Sequence, residues 1–270
     1  MVIGSLKKNS LKKSWVANWY KSLKNLLKTI YYALMRLLPS RGVVVLMYHS
    51  IGSNDAFFTV SAEEFEKQMR YLIEHKYQVL SIPEMLDLIE AKRTMPKKAV
   101  VITFDDGYED NFSIAFPILK KYGFRAAVFL TTGTISGSRT TSGGVVIPML
   151  NWHQIREMAD SGLVEFYPHS DTHPKLDVVN EDALESEIQT SRNIVEKELN
   201  TKVTVFAYPY GRYNKLVMQK LRENGFRAAF TVEAGYVSSA VEPLAINRNS
   251  VDSRVTTAMF KGIVKRGRYK

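Results

Sequence analysis

From Gly42 onward, short apolar runs alternate with amphipathic segments along the chain. The runs VVVLMYH (43–49), YQVLS (77–81), AVVITF (99–104), RAAVFLTT (125–132), LVEFY (163–167), KVTVFAY (202–208), RAAFTV (227–232) and PLAIN (243–247) have strand length. Most are apolar at consecutive positions, as strands covered on both faces require. Between them, apolar residues recur at helical spacing in SAEEFEKQMRYLIEHK, IPEMLDLIEAK, NFSIAFPILKKYG, LNWHQIREMADSG, NEDALESEIQTSRNIVEKELN and YNKLVMQKLRENG, with a closing helix near 253–265. Ser61 and Glu64 have the spacing of a capping box. Gly123, Gly162 and Gly225 stop three of the helices. About eight strands alternating with about seven helices imply βα units and parallel pairing. The expected fold is α/β, a distorted (β/α) barrel of about seven to eight parallel strands spanning 42–270, with an open doubly wound sheet as the alternative. The stretch GTISGSRTTSGGVVIP (133–148) reads as a long loop beside a site.

Residues 1–41 precede this body with nine Lys or Arg and no acidic residue. Trp15, Val16, Trp19, Leu23, Leu26, Leu27, Ile30, Tyr31, Leu34, Leu37 and Leu38 fall at helical spacing, with Lys21, Lys24 and Lys28 on other faces. Pro39 and Gly42 end that helix. Its uncharged runs, SWVANWY and TIYYALM, are seven residues long, against the roughly 20 that a bilayer requires. No small-residue cleavage site follows an apolar stretch, so a signal peptide fits poorly. The segment is therefore read as a basic amphipathic helix that either lies on an anionic membrane surface or docks on its own domain. The one-sided charge favours the membrane.

The formal net charge of +10 is concentrated at the chain ends. The last ten residues add five basic side chains, which leaves 23 basic against 27 acidic residues in between. A body with that balance lacks the basic stripe of a nucleic-acid-binding face, so no nucleic-acid partner is expected. The absence of cysteine removes disulfides and thiolate chemistry.

Unusual polar residues gather where the apolar runs end. His49 closes the first run, Asp105 and Asp106 close AVVITF, and His169 and His173 follow LVEFYP. Tyr208, Pro209, Tyr210 and Gly211 close KVTVFA, and Arg248 follows PLAIN. In α/β folds the carboxyl ends of the strands build the site. His169 and His173 are four residues apart in HSDTH and either share one side of a turn as two ligands of one metal or are polar surface residues. A carboxylate from a neighbouring strand end completes a set of two His and one Asp, the pattern of a catalytic metal with an open position. The adjacent Asp105 and Asp106 then divide the labour: one ligates the metal and the other takes a proton from the attacking water. The competing reading is an Asp-Gly turn with a helix-capping Asp.

Taken together, ITFDDGYEDN, HSDTHPKL and FAYPYG resemble the polysaccharide deacetylases with NodB homology (carbohydrate esterase family four) over about 44–251. LMYH and FAYPYG are similar to the branch that acts on poly-β-1,6-N-acetylglucosamine. The resemblance implies an enzyme that removes N-acetyl groups from an acetylated aminosugar polymer or oligomer and releases acetate. It implies Asp105 as base, with Asp106, His169 and His173 as ligands of one divalent metal, zinc first, then cobalt, nickel or manganese. It further implies that Pro209 and Tyr210 line the acetyl pocket, that the Tyr210 N–H binds the oxyanion, and that His49 is the general acid. Tyr108, Trp152 and Tyr210 are candidates for stacking on sugar rings, with a core-anchoring role as the alternative for Trp152.

Three departures from the family pattern stand out. Ala207 occupies the place of the arginine that orients the base in Arg-x-Pro-Tyr, and Arg248 is the candidate replacement. The Leu-x-His motif is missing, since Leu244 leads only to Asn247, which turns the acid role to His49. Tyr167 and Pro168 stand where small residues are usual and narrow the site. Two alternatives remain open: the same chemistry on an O-acetyl ester or a non-sugar amide, or an inactive carbohydrate-binding domain held at a membrane by residues 1–41. The substrate class points to the cell envelope with peripheral membrane association, the cytoplasmic side being left open.

Overall fold

The computed structural model describes residues 42–267, so the basic helix expected over 1–41 lies outside the described residues. The centre of the fold is a parallel sheet of β1 (Val44–Tyr48), β3 (Ala99–Phe104), β4 (Ala126–Leu130) and β7 (Val164–Pro168), paired in the order β1–β3–β4–β7. The short β10 (Asn249–Ser250) lies outside β1, and β2 (Gln78–Val79) pairs with the start of β3. Every position of β1, β3 and β4 is buried. Alternate side chains enter two different cores, as the period-2 geometry of a strand dictates. Val44, Leu46, Tyr48, Val100, Ile102 and Phe104 pack outward against α1 (Ala62–Glu74), α3 (Phe116–Tyr122), α4 (Trp152–Asp160) and α5 (Glu181–Leu199). Val45, Val101, Ala127 and Phe129 pack on the other side with α2 (Ile82–Glu90). Consecutive apolar runs are what this double covering needs.

Of the distorted barrel expected from the sequence, the structure shows an α/β fold with a mostly parallel central sheet. β8 (Val205–Ala207) and β9 (Ala228–Phe230) form their own parallel pair, and β8 packs beside β7 without a hydrogen-bonded ladder. Glu165 accepts hydrogen bonds from the Ile82 N–H (3.3 Å) and the Tyr167 hydroxyl (3.3 Å). Around them lies a cleft of about 380 Å³ lined by Lys202, Thr204 and Arg227. Burying Glu165 raises its pKa.

Four local expectations also change. The strand expected over PLAIN is a single bridge from Ile246 to Phe230, and regular pairing begins only at Asn249. The stretch 133–148 contains an antiparallel hairpin of β5 (Ser138–Thr140) and β6 (Val146–Pro148). The helix expected from Asn111 begins as one π-turn (Asn111–Ala115) before α3, next to Pro117, which has no N–H to give to the helical ladder. Ser61 accepts from the Glu64 N–H, but the reciprocal capping boxes sit at Ser81/Glu84 and Asn151/Gln154. Two further helices, α6 (Lys215–Glu223) and α7 (Thr257–Arg266), complete the described chain. Among the described residues no helix is long and apolar enough to cross a membrane.

Candidate active site

The Asp105 N–H donates to the Tyr48 carbonyl (2.9 Å), so the β1–β3 ladder still holds the residue just past β3. Asp106 and Gly107 then take φ values of +73° and +83°, which turns the chain away at once. Ser170, His173 and Tyr210 are also left-handed, at +62°, +64° and +58°. Such backbone costs roughly 1–3 kcal/mol per non-glycine residue and clusters where side chains must be aimed. Gly211 at +67° closes the Tyr208–Arg212 turn, and a Cβ there would lie 2.8 Å from the Val232 nitrogen.

His169 is placed by the β4–β7 ladder through its N–H to the Leu130 carbonyl (2.8 Å). Its Nδ1 lies 2.8 Å from the Ala207 carbonyl, an acceptor only, so Nδ1 carries the proton and Nε2 keeps its lone pair. One ligand atom each from Asp106, His169 and His173 lie within 4.8 Å of one another. Burial lowers the pKa of both histidines, His173 to about 3, so both imidazoles are neutral at pH 7 as ligation requires. Burial opposes ionisation of Asp106, but its polar neighbours outweigh it, and the Arg139 guanidinium is the permanent charge that keeps the carboxylate ionised at neutral pH. The set already accepts a cation. Arg139 on β5 donates to Asp106 Oδ1 (2.6 Å) and to His173 Nδ1 (2.8 Å). These residues fit a divalent metal held by one carboxylate and two imidazoles.

Arg139 carries no signal in the sequence, because an arginine in a loop-like insertion belongs to no periodic pattern. Since its guanidinium uses donor atoms that a metal needs, Arg139→Ala is expected to bind Zn²⁺ about tenfold more tightly, the scale of one charge-assisted hydrogen bond. Competition with a chromophoric chelator measures this; unchanged affinity would show that Arg139 and the metal coexist.

Asp105 has a different partner. Arg248 is fully buried and binds it bidentately, Nη1 to Oδ1 at 2.6 Å and Nη2 to Oδ2 at 2.7 Å. Arg248 is held in turn by its Nε donation to the Thr231 carbonyl (2.8 Å) and by the rings of Phe129 and Phe230. Burial alone would raise the Asp105 pKa; the Arg248 charge outweighs it and brings it below the ordinary value. Arg248 thus supplies the cation that Ala207 cannot.

The structure brings Asp105, Asp106, His169, His173, Arg248 and Tyr210 together. The Tyr210 ring, half exposed, meets His173 edge-on at 4.5 Å, and Pro209 is buried behind it. His49 follows directly on Tyr48, whose carbonyl accepts from the Asp105 N–H, and its ring lies 5.4 Å from Phe58. Tyr108 requires a correction. It is 1% exposed and stacked on Phe58, so it offers a sugar no face. Trp152 sits at the start of α4, partly buried against the main core.

The shifted histidine carries a stability prediction. His173 has a folded pKa of about 3 against 6.5 for the free group, so between these values the unfolded chain binds more protons. Acidification from pH 7 toward 4 therefore removes stability, on the order of 2–3 kcal/mol for this group. Asp110 works in the opposite direction: burial raises it to about 6, so its ionisation costs stability as pH rises through that value. Urea unfolding of chelator-treated protein should thus lose less stability on acidification in His173→Gln than in the wild type. Parallel curves would refute the neutral, buried imidazole.

Residues 92–229 match the family model for polysaccharide deacetylase, half of the chain. The chain belongs to the polysaccharide deacetylase family. The Bacillus subtilis (strain 168) protein YxkH, whose name places it in the same family, is 30% identical over 221 residues, covering 82% of this chain and 75% of that protein. A poly-β-1,6-N-acetyl-D-glucosamine N-deacetylase of Staphylococcus epidermidis is 28% identical over 216 residues, 77% of this chain and 72% of that enzyme. Two Escherichia coli enzymes of that name are longer, and the match spans 35% of their length. The Streptococcus pyogenes deacetylase PplD, solved in complex with acetate, superposes with a TM-score of 0.70 at 29% identity, over 81% of this chain and 96% of that one. These likenesses account for the α/β fold and for the deacetylase class of the enzyme.

Proposed function

We propose that this enzyme is a metal-dependent hydrolase that removes N-acetyl groups from an N-acetylglucosamine-containing poly- or oligosaccharide, releasing acetate. The supporting observation is the pairing of a three-residue cation site, Asp106, His169 and His173, with an adjacent carboxylate, Asp105, clamped by Arg248. The name of the Staphylococcus relative makes the β-1,6-linked polymer the first substrate to test. Bound by those three residues, a divalent ion, zinc first, would polarise the acetyl carbonyl and acidify the attacking water.

The chain's own groups carry the remaining steps. Asp105 accepts a proton from water as its oxygen bonds to the acetyl carbon. Arg248 grips both carboxylate oxygens, fixing the angle at which Asp105 presents its free lone pairs. The Tyr210 N–H, on a turn held left-handed, donates to the oxygen that gains negative charge. His49 gives a proton to the sugar nitrogen as the C–N bond breaks, so acetate and a free amine leave. Pro209 and the Tyr210 ring wall the acetyl group.

The test is acetate release from a panel of β-1,6- and β-1,4-linked N-acetylglucosamine oligomers and an O-acetylated polysaccharide, using enzyme loaded with zinc, cobalt, nickel or manganese. Release from the β-1,6 oligomers is expected. Turnover of the O-acetyl polymer alone would assign the site to ester hydrolysis, and glycan binding without turnover would identify a non-catalytic binding domain.

A further inference from the structure

The loop that carries the catalytic carboxylates does not end at Gly107. It continues through Tyr108 and Glu109 to Asp110 and Asn111, whose side chains are buried. Asp110 Oδ2 accepts from the Ser50 hydroxyl at 2.5 Å, and its Oδ1 accepts from the Ile51 N–H at 3.1 Å. Asn111 Nδ2 donates to the His49 carbonyl at 2.8 Å and to Asp110 Oδ1 at 3.0 Å. Asn54 Nδ2 donates to Ser50 Oγ at 2.8 Å, which fixes the hydroxyl so that its proton points at Asp110. Three consecutive residues, His49, Ser50 and Ile51, are thereby tied to two consecutive residues of the carboxylate loop.

From this clamp we infer that Asp110 is a positioning residue for His49. The inference rests on the reading of His49 as general acid and deepens it. His49 comes directly after β1 and is only half-buried, with an aromatic neighbour, Phe58, beside its ring. The main chain therefore decides where the imidazole stands. Asp110 holds that main chain at a set distance from Asp105, because both belong to one short loop. Base and acid are registered to each other through five residues of sequence rather than through the sheet alone. A misplacement of about 1 Å in such a pair costs on the order of 10²-fold in rate. Asp110 is a buried carboxylate that touches neither the three ligands nor the base, and this clamp gives it a role.

The experiment separates proton delivery from the rest of catalysis by the leaving group. Metal-loaded full-length wild type, Asp110→Asn, Ser50→Ala and His49→Ala are assayed on an N-acetylglucosamine oligomer and on 4-nitrophenyl acetate. The amine of the first must be protonated to leave; the nitrophenolate of the second leaves without a proton. The expected result is a fall in kcat of about tenfold or more on the amide for Asp110→Asn, with KM and the ester rate within about twofold of wild type. Ser50→Ala, which removes one hydroxyl and disturbs folding less, is expected to move in the same direction. Equal losses on both substrates in Asp110→Asn and Ser50→Ala, or no loss on either, would overturn the clamp if His49→Ala still separates the two substrates. If His49→Ala fails to separate them, the acid assignment itself falls, and the inference with it.

Discussion

Asp105→Asn is expected to lower the rate of acetate release at least about 10²-fold while leaving the bound metal in place. General-base assistance contributes roughly 10²–10⁴, and the asparagine amide cannot accept the proton of the attacking water. The ligand set does not include Asp105, so metal content should stay at one per chain. The same substitution strips Arg248 of its counter-charge, and that guanidinium is fully buried. The variant is therefore destabilised as well as slow, and its rate has to be read at a temperature where it is folded. A variant with near-normal rate would remove Asp105 from the mechanism.

Arg248→Met is expected to show the largest loss of stability. The substitution leaves the Asp105 carboxylate buried beside His169 without its bidentate partner. Breaking a buried pair from one side costs about 3–5 kcal/mol, which for a domain of this size is a fall in Tm of roughly 6–20 °C. The same geometry sets the sign of its pH dependence. Without Arg248, burial raises the folded pKa of Asp105 above its unfolded value, so the penalty is present at neutral pH and is relieved as pH falls. Asp105→Asn combined with Arg248→Met removes both charges and should recover much of the loss. Calorimetry on the two single variants and the double variant measures the coupling. Additive losses would show that the two groups do not act as a pair.

The sheet was legible because burial on both faces writes a simple pattern. AVVITF had to be an internal strand, and the ends of such strands are where polar residues need a reason to be. That logic places Asp105, Asp106, His169, His173 and Arg248 at one end of the fold from pattern alone. Backbone conformation leaves no such trace. Asp106, Ser170, His173 and Tyr210 are left-handed without being glycine, and no local preference announces it. Partners supplied from irregular segments are equally silent. Arg139 arrives on a hairpin inside a stretch that reads as loop, and Asp110 looks like ordinary helix-start punctuation. The extent of the distorted barrel was not legible, because eight apolar runs do not say whether each neighbouring pair shares a ladder. β7 and β8 lie in contact without pairing, a tertiary outcome that no local pattern announces.

The central claim is that Asp106, His169 and His173 hold one metal ion that serves Asp105 in removing an N-acetyl group. The measurement that meets it most directly is acetate released from acetylated β-1,6-linked glucosamine oligomers by chelator-stripped enzyme titrated with Zn²⁺. The expected result is no release without metal and full release at one equivalent, with His169→Ala giving neither metal uptake nor acetate. Release that persists in the stripped enzyme, or that is unaffected by His169→Ala, would contradict the account.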